Sequence, residues 1–239
     1  MIQINGLNKS LYGGGHRVDI LNEIDLTIPS GQFVAITGAS GSGKTTLLSL
    51  IAGLDEPTEG SIVIDKQDIT KLNEDELAEL RVQRFGFIFQ NFNLIPTLTA
   101  LENVTLSAEL NGANGAHKKS VKLLSLVGLT NRKHHYPVQL SGGEQQRLCL
   151  ARAFVNEPEI VLADEPTGNL DTKTGLVIID LLKKLNSEQG ITIITATHDT
   201  KMLDVSDRIF HMADGKIDRT ETRDEIDLQV GKLDGEEVG

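Results

Sequence analysis

Residues 33–45 read Phe33-Val34-Ala35-Ile36-Thr37-Gly38-Ala39-Ser40-Gly41-Ser42-Gly43-Lys44-Thr45, an apolar run that opens directly into a glycine-rich loop. Apolar residues follow from Leu47 to Ile51 before the chain reaches Gly53, so the stretch is expected to fold as strand, loop and helix. The loop has the form G-x-x-x-x-G-K-T, and each residue type has a physical task. Gly38, Gly41 and Gly43 let the backbone turn tightly around Ala39, Ser40 and Ser42, so that successive N–H groups point into one concavity. The helix that begins there adds the partial positive charge of its amino terminus. Lys44 is long enough to reach the β- and γ-phosphates of a nucleotide, Thr45 offers a hydroxyl to Mg²⁺, and Thr46 stands beside them in the first turn. A glycine-rich turn that merely caps a helix is the competing reading, and the strand-to-helix context disfavours it.

Working outward, Ile160-Val161-Leu162-Ala163-Asp164-Glu165 is a second apolar strand, this one ending in two carboxylates. An open α/β sheet presents its ligand site at such strand ends. Asp164 is suited to the Mg²⁺ shell, and Glu165 to orienting or deprotonating an attacking water. Apolar runs ending in Asp-Glu are common and usually mark only a strand reaching the surface; the partnership with Lys44 gives this one weight. A helix over about 173–186 and a strand over 191–195 continue the rhythm of a parallel sheet covered by helices. Residues 61–64 and 85–90 also read as strands, separated by a helix that Asn73 and Glu76 close with a capping box. Before residue 33, short apolar stretches broken by Gly13-Gly14-Gly15 and Pro29-Ser30-Gly31 read as strands joined by turns, the triple glycine being a hairpin tip.

Between about 91 and 157 the strand signals vanish and helical spacing takes over, as in Val121, Leu124 and Val127, with Thr99 and Glu102 forming another capping box. Within this region lies Leu140-Ser141-Gly142-Gly143-Glu144-Gln145-Gln146-Arg147. Ser141 caps a helix, Glu144 closes the box three residues on, and Gly142 and Gly143 open the first turn so that a phosphate can approach the exposed N–H groups. A plain capping box would explain Ser141 and Glu144 but leaves two helix-disfavouring glycines without a purpose.

This last stretch resembles the signature motif of ABC ATPases, and the resemblance extends over the chain to about residue 217. It implies an α/β fold: a P-loop NTPase core with a mainly parallel sheet, an antiparallel β subdomain and a helical subdomain, with 218–239 as an acidic tail of open role. Four further landmarks follow from the resemblance alone. Gln90 matches the glutamine that senses Mg²⁺ and the γ-phosphate beside the transmembrane contact. Asn169-Leu170-Asp171 matches the loop that crosses the dimer interface, His198 the histidine that grips the γ-phosphate, and Tyr12 the aromatic that stacks on adenine. The stretches 92–104 and 163–171 are similar to the branch of macrolide exporters, lipoprotein-releasing ATPases and FtsE-type cell-division ATPases. Ala39, Thr45 and Glu144 stand where proline, serine and glutamine are frequent; none of these departures removes a catalytic group.

The resemblance therefore implies a subunit that binds and hydrolyses ATP with Mg²⁺. It would pair head to tail with a second copy or a similar chain and drive a separate integral membrane permease. Two rivals stay open: a soluble ABC ATPase, and a nucleotide-gated device acting in cell division or wall remodelling. Composition agrees with the first reading. No run nears the roughly 18 apolar residues of a membrane span, and the start of the chain lacks a basic, apolar leader, so a cytoplasmic chain attached to the membrane face through its permease is expected. A net charge of −11 disfavours nucleic acid as a partner. The single cysteine, Cys149, is expected in the core, His134-His135 at a solvated junction rather than on a metal, and Lys118-Lys119 and Lys183-Lys184 on solvated faces.

Overall fold

Alternating apolar residues build the first element, a hairpin of β1 (Ile2–Gly13) and β2 (His16–Ile28). Ile2 faces Ile28, Ile4 faces Leu26, and Gly13 pairs with His16 across the expected tip. The chain is seen in a computed structural model that describes residues 1–13, 16–112 and 114–223, so Gly14 and Gly15 themselves lie outside the described residues. β4 (Glu59–Ile64) pairs antiparallel with β1, and the short β5 (Gln67–Asp68) completes a four-stranded sheet in the order β2-β1-β4-β5.

The second sheet carries the site. It contains β3 (Phe33–Gly38), β6 (Phe85–Ile88), β7 (Ile160–Asp164), β8 (Thr192–Ala196), β9 (Arg208–Ala213) and β10 (Lys216–Thr222), in the order β10-β9-β3-β8-β7-β6. Every neighbouring pair is parallel except β9 with β10. Both faces are buried, which is why these strands read as unbroken apolar runs. Val34, Ile36, Leu162 and Ile194 pack toward the antiparallel sheet, together with Leu47 and Leu50 of α1 (Lys44–Ile51) and Leu77 of α2 (Glu74–Arg84). Their neighbours Phe33, Val161 and Ile193 point the other way, into a core shared with α3 (Ala100–Leu110), α4 (Ala116–Leu126), α5 (Gly142–Phe154) and α6 (Thr172–Gln189). Helices α3, α4 and α5 all lie between residues 100 and 154, and a five-residue α7 (Thr200–Asp204) leads into β9.

All three expected capping boxes form, at Asn73–Glu76, Thr99–Glu102 and Ser141–Glu144. Three expectations need correction. The boundary set at 217 cuts through β10, which continues to Thr222 because it is paired along its length with β9; residues 224–239 lie outside the described residues. β6 stops at Ile88, so Gln90 sits in the turn beyond the strand rather than at its end. Lys183 is not simply solvated: its ammonium donates to Val205 O at 3.0 Å, approaches Asp207 at 3.4 Å, and lies 5.8 Å from the Phe33 ring centre. A long stem covering apolar surface with its head on a partner explains the difference.

One strand residue sets the spacing between sheet and helices. A Cβ on Gly86 would meet Ala153 O at 2.5 Å and the Pro158 ring at 3.1 Å. Backbone on one side leaves little room to yield, so Gly86→Ala is expected to cost about 1–3 kcal/mol and to lower Tm by roughly 2–10 °C. Differential scanning calorimetry would show this, and a Tm unchanged within error would mean that α5 moves aside freely.

Candidate functional site

β3, β8 and β7 are adjacent and parallel, so the loops leaving their carboxyl ends meet at one edge of the sheet. The loop after β3 follows the glycine plan closely. Gly38, Gly41 and Gly43 have φ of 154°, 80° and 100°. A Cβ on Gly38 would lie 2.2 Å from Met212 O and one on Gly43 2.6 Å from Leu21, whereas one on Gly41 would meet nothing within 4 Å. Two of the glycines are therefore demanded by packing as well as by φ, and the third turns in open space. Lys44 folds back over the loop and donates to Gly38 O at 2.8 Å and Ala39 O at 2.9 Å. Ser42 N closes a turn on Ala39 O at 3.2 Å, and the buried Ser42 hydroxyl has no partner among the described residues. Ser40 is exposed and Thr46 half-buried beside them. Gly43 caps α1 without any side-chain bond, which leaves the N–H groups of the first turn available to an anion.

The two strand-end carboxylates of β7 take different partners. Asp164 accepts from the Thr45 hydroxyl at 3.0 Å. Burial lifts its carboxyl above the ordinary range; Thr45 and Lys44 pull it down, and the neighbouring Glu165 pushes it up. Glu165 instead bonds His198 Nδ1 at 2.9 Å through Oε1, while its Oε2 is buried with no partner among the described residues. Glu165 also has φ of 45°, a left-handed conformation that costs a non-glycine residue of order 1–3 kcal/mol. The surrounding bonds hold it there: Glu165 N donates to Ala196 O at 2.9 Å, and Gly168 N to Glu165 O at 3.1 Å. A cleft of about 330 Å³ opens between Glu165, Thr167, Gly168, His198 and Asp199.

Sequence reasoning missed the clasp beneath this pair. Thr167 Oγ1 donates to Asp199 Oδ2 at 2.8 Å, Asp199 N donates to Thr197 Oγ1 at 3.0 Å, and Asp199 Oδ1 caps α7 at Lys201 N. The signal was available, since Asp199 is an N-cap residue immediately after His198, but a cap alone says nothing of a bond to another loop. Asn169, which sequence places only in a crossing loop, donates from its side chain to Gln90 O at 2.9 Å, and Gln90 Nε2 lies near Gly168. The residues after Gln90 are themselves strained, Phe92 and Asn93 having φ of 60° and 48°. Arg152 of α5 donates to both of their carbonyls, with Phe92 O at 2.8 Å. Cys149 lies behind them, its thiol 3.1 Å from Phe92 O and pushed up to about 12 by burial. The loop then passes over Asn103, whose buried amide binds Ile95, Leu98 and Thr99.

The signature stretch lies at the head of α5, against the head of α6. Ser141 Oγ accepts from Glu144 N at 3.3 Å, and Glu144 returns a bond to Ser141 N at 2.8 Å. Gly142 is open, but a Cβ on Gly143 would strike the Thr174 methyl at 2.4 Å. One of the two glycines thus has a packing purpose that the sequence did not disclose. Asp171 caps α6, accepting from Lys173 N, Thr174 N and the Thr174 hydroxyl. Tyr12 is paired with Arg17 on the hairpin and is 74% exposed. A separate groove of about 390 Å³, walled by Leu54, Phe87, Phe89, Leu110 and Arg152, runs between sheet and helices. Phe85, Phe87 and Phe89 stack along it at centroid distances of 5.9 and 5.8 Å.

A family model described as ABC transporter matches residues 21–168. The chain is 46% identical over 222 residues to the macrolide export ATP-binding/permease protein MacB of Rhodopirellula baltica, a match covering 91% of this chain and 32% of that protein. It therefore spans about a third of that relative's length. It is 47% identical over 219 residues to the lipoprotein-releasing system ATP-binding protein LolD of Syntrophotalea carbinolica, covering 91% of this chain and 96% of the relative. Its fold superposes with a TM-score of 0.88, at 43% identity and over 93% of this chain and 99% of the other, on the ATP-binding cassette MJ0796 of Methanocaldococcus jannaschii. That structure is a dimeric post-hydrolysis state bound to ADP and Pi. Likeness of this depth over nine-tenths of the sequence leads to one assignment: the chain belongs to the ABC transporter family, as an ATP-hydrolysing ATP-binding cassette.

Proposed function

We propose that two copies of this chain, or this chain and a similar one, close head to tail on ATP and so drive a membrane permease of the macrolide-export or lipoprotein-release kind. In each site the loop 38–46 of one subunit holds the phosphates and Tyr12 the adenine. Ser141, Gly142, Gly143 and Glu144 of the other subunit complete it, with Asp171 at the crossing. The observation that carries this reading is the division of labour between Asp164 and Glu165, neighbours in sequence with separate partners at one sheet edge. The dimeric MJ0796 cassette with its ADP and Pi supports it.

The donor set fits Mg²⁺. Thr45 and Asp164, bonded to each other, would supply oxygen ligands and Gln90 a further one, and a carboxylate destabilised by burial and by a second carboxylate would gain from a nearby cation. Few protein ligands are needed, since Mg²⁺ in such sites takes the rest from phosphates and water. When bound, the ion would offset phosphate charge. Glu165 carries one carboxylate oxygen fixed by His198 and one with no partner among the described residues, which leaves it an oxygen to take up a proton from water. His198 thereby holds the carboxylate in place and stands at the same cleft for the γ-phosphate. Lys44, now satisfied by two loop carbonyls, exchanges them for phosphate oxygens.

The apolar groove beside the Gln90 loop is the candidate seat of the permease, with Phe87, Phe89 and Leu110 as its contact surface. No helix among the described residues is long and apolar enough to cross a membrane. The chain would therefore act at the inner membrane face through that partner.

Glu165→Gln is expected to lower ATP turnover by about 10²–10⁴-fold while an ATP-bound dimer accumulates, read by phosphate release and light scattering; turnover at the normal rate would remove Glu165 from the role of base. Thr167→Val, which keeps shape and deletes the hydroxyl bonded to Asp199, is expected to lower kcat by about tenfold with KM nearly constant. Thr167→Ser should restore it. A rise in KM with kcat untouched would show that the clasp serves binding rather than the placement of His198.

A further inference from the structure

Glu144 is a carboxylate in a place that is expected to face polyphosphate, and the structure shows how its charge is managed. Both of its oxygens are engaged: Oε2 accepts from Ser141 N at 2.8 Å, and Oε1 accepts from Arg132 Nε at 2.9 Å. The helix cap needs only an acceptor three residues after Ser141, which a glutamine would supply as well. The second contact is specific to charge. Protonation offers no escape, since the Ser141 backbone N–H and the Arg132 guanidinium together hold Glu144 at about 2 against an ordinary 4.5. The carboxylate is therefore ionised at every physiological pH, and within the described contacts its compensating cation is Arg132.

Arg132 is placed with care for a residue on a short turn. It ends a 3-10 turn (Thr130–Arg132) whose preceding residue, Leu129, is fully buried, and Arg132 N donates to Leu129 O at 2.9 Å. His135 N returns a bond to Arg132 O at 2.9 Å. Ala100 N and Leu101 N, at the head of α3, donate to His135 O and Lys133 O. The guanidinium also lies 3.4 Å from His135 Nε2. The turn is thus pinned to the head of α3 and delivers a guanidinium to the head of α5.

We propose that Arg132 is a positioning residue of the composite ATP site, neutralising Glu144 so that the signature helix can close on the γ-phosphate of the facing subunit. The inference rests on the head-to-tail reading above. Arg132 need not touch ATP; it acts by cancelling a charge that would repel the nucleotide and by locking the carboxylate into the cap.

The test uses the full chain carrying Glu165→Gln, in which ATP-driven dimers accumulate, with dimerisation followed by analytical ultracentrifugation as MgATP is titrated. Arg132→Gln is expected to raise the ATP concentration at half-closure about tenfold, and Arg132→Lys to recover most of the loss. The double variant Arg132→Gln/Glu144→Gln, from which both charges are gone, is expected to close within about twofold of the parent Glu165→Gln chain. A double variant as impaired as Arg132→Gln alone would assign Arg132 to folding of the turn and overturn the proposal, as would no loss in Arg132→Gln itself. Should Arg132→Gln not fold, Glu144→Gln alone decides: it leaves a cation without its counter-charge and is expected to close at lower ATP, whereas an unchanged or weaker midpoint overturns the inference. If the Glu165→Gln chain shows no ATP-driven dimer under any condition, the composite-site reading itself fails and this inference falls with it.

Discussion

The parallel pairing of β3, β8 and β7 is the constraint on which the rest depends. It aligns Val34 with Ile194 and Leu162 with Ile194, so three strand ends reach the same level. From that level emerge the glycine-rich loop, the Asp164-Glu165 pair and the His198-Asp199 pair. The backbone bonds from Glu165 N to Ala196 O and from Thr197 N to Ile36 O carry the pairing one residue past the regular strands. Side chains then need only short reaches to meet: Thr45 to Asp164, Glu165 to His198, Thr167 to Asp199. Apolar burial on both faces supplies the free energy that keeps so many polar and strained groups in one place.

Much of this was legible in the sequence because each feature had a local physical cause. The glycines of the loop at 38–45 announce left-handed turns, the three Ser/Thr/Asn-x-x-Glu boxes announce helix starts, and the runs at 33–37, 160–163 and 191–195 announce buried strands. What escaped is set by contacts between distant segments. Gly143 reads as a poor helix former opening a turn, and only the approach of Thr174 shows that it also spaces two helices. Asp199 reads as a cap; its bond to Thr167 joins residues 32 positions apart. The boundary at 217 failed because β10, with Asp218, Arg219 and Glu221 among its residues, has the composition of a tail and the pairing of an edge strand. Charged residues on edge strands are a usual defence against unwanted pairing, so composition misled there for a physical reason.

The charge pattern around the nucleotide site also follows from placement rather than count. A chain with formal net charge −11 is an unpromising receptor for a polyanion. The features there that favour an anion are the oriented N–H groups at the head of α1 and a lysine parked on its own loop. The acidic residues nearby are each tied to a neighbour, Asp164 to a hydroxyl, Glu165 to an imidazole, Glu144 to a guanidinium and Asp171 to a helix start. Local dipoles outweigh the distant field because screening removes the latter within about a Debye length.

Arg152 gives the loop after Gln90 a mechanical character. Phe92 and Asn93 are consecutive residues in a left-handed conformation, each costing of order 1–2 kcal/mol, and both carbonyls are held by one guanidinium rooted in α5. Such a loop behaves as a loaded spring with its latch on another body. If the helical part rotates against the sheet, the loop must travel with Arg152 or release two charge-assisted bonds and relax. A rotation of α5 would thus pull on the residues next to Gln90 through this one side chain.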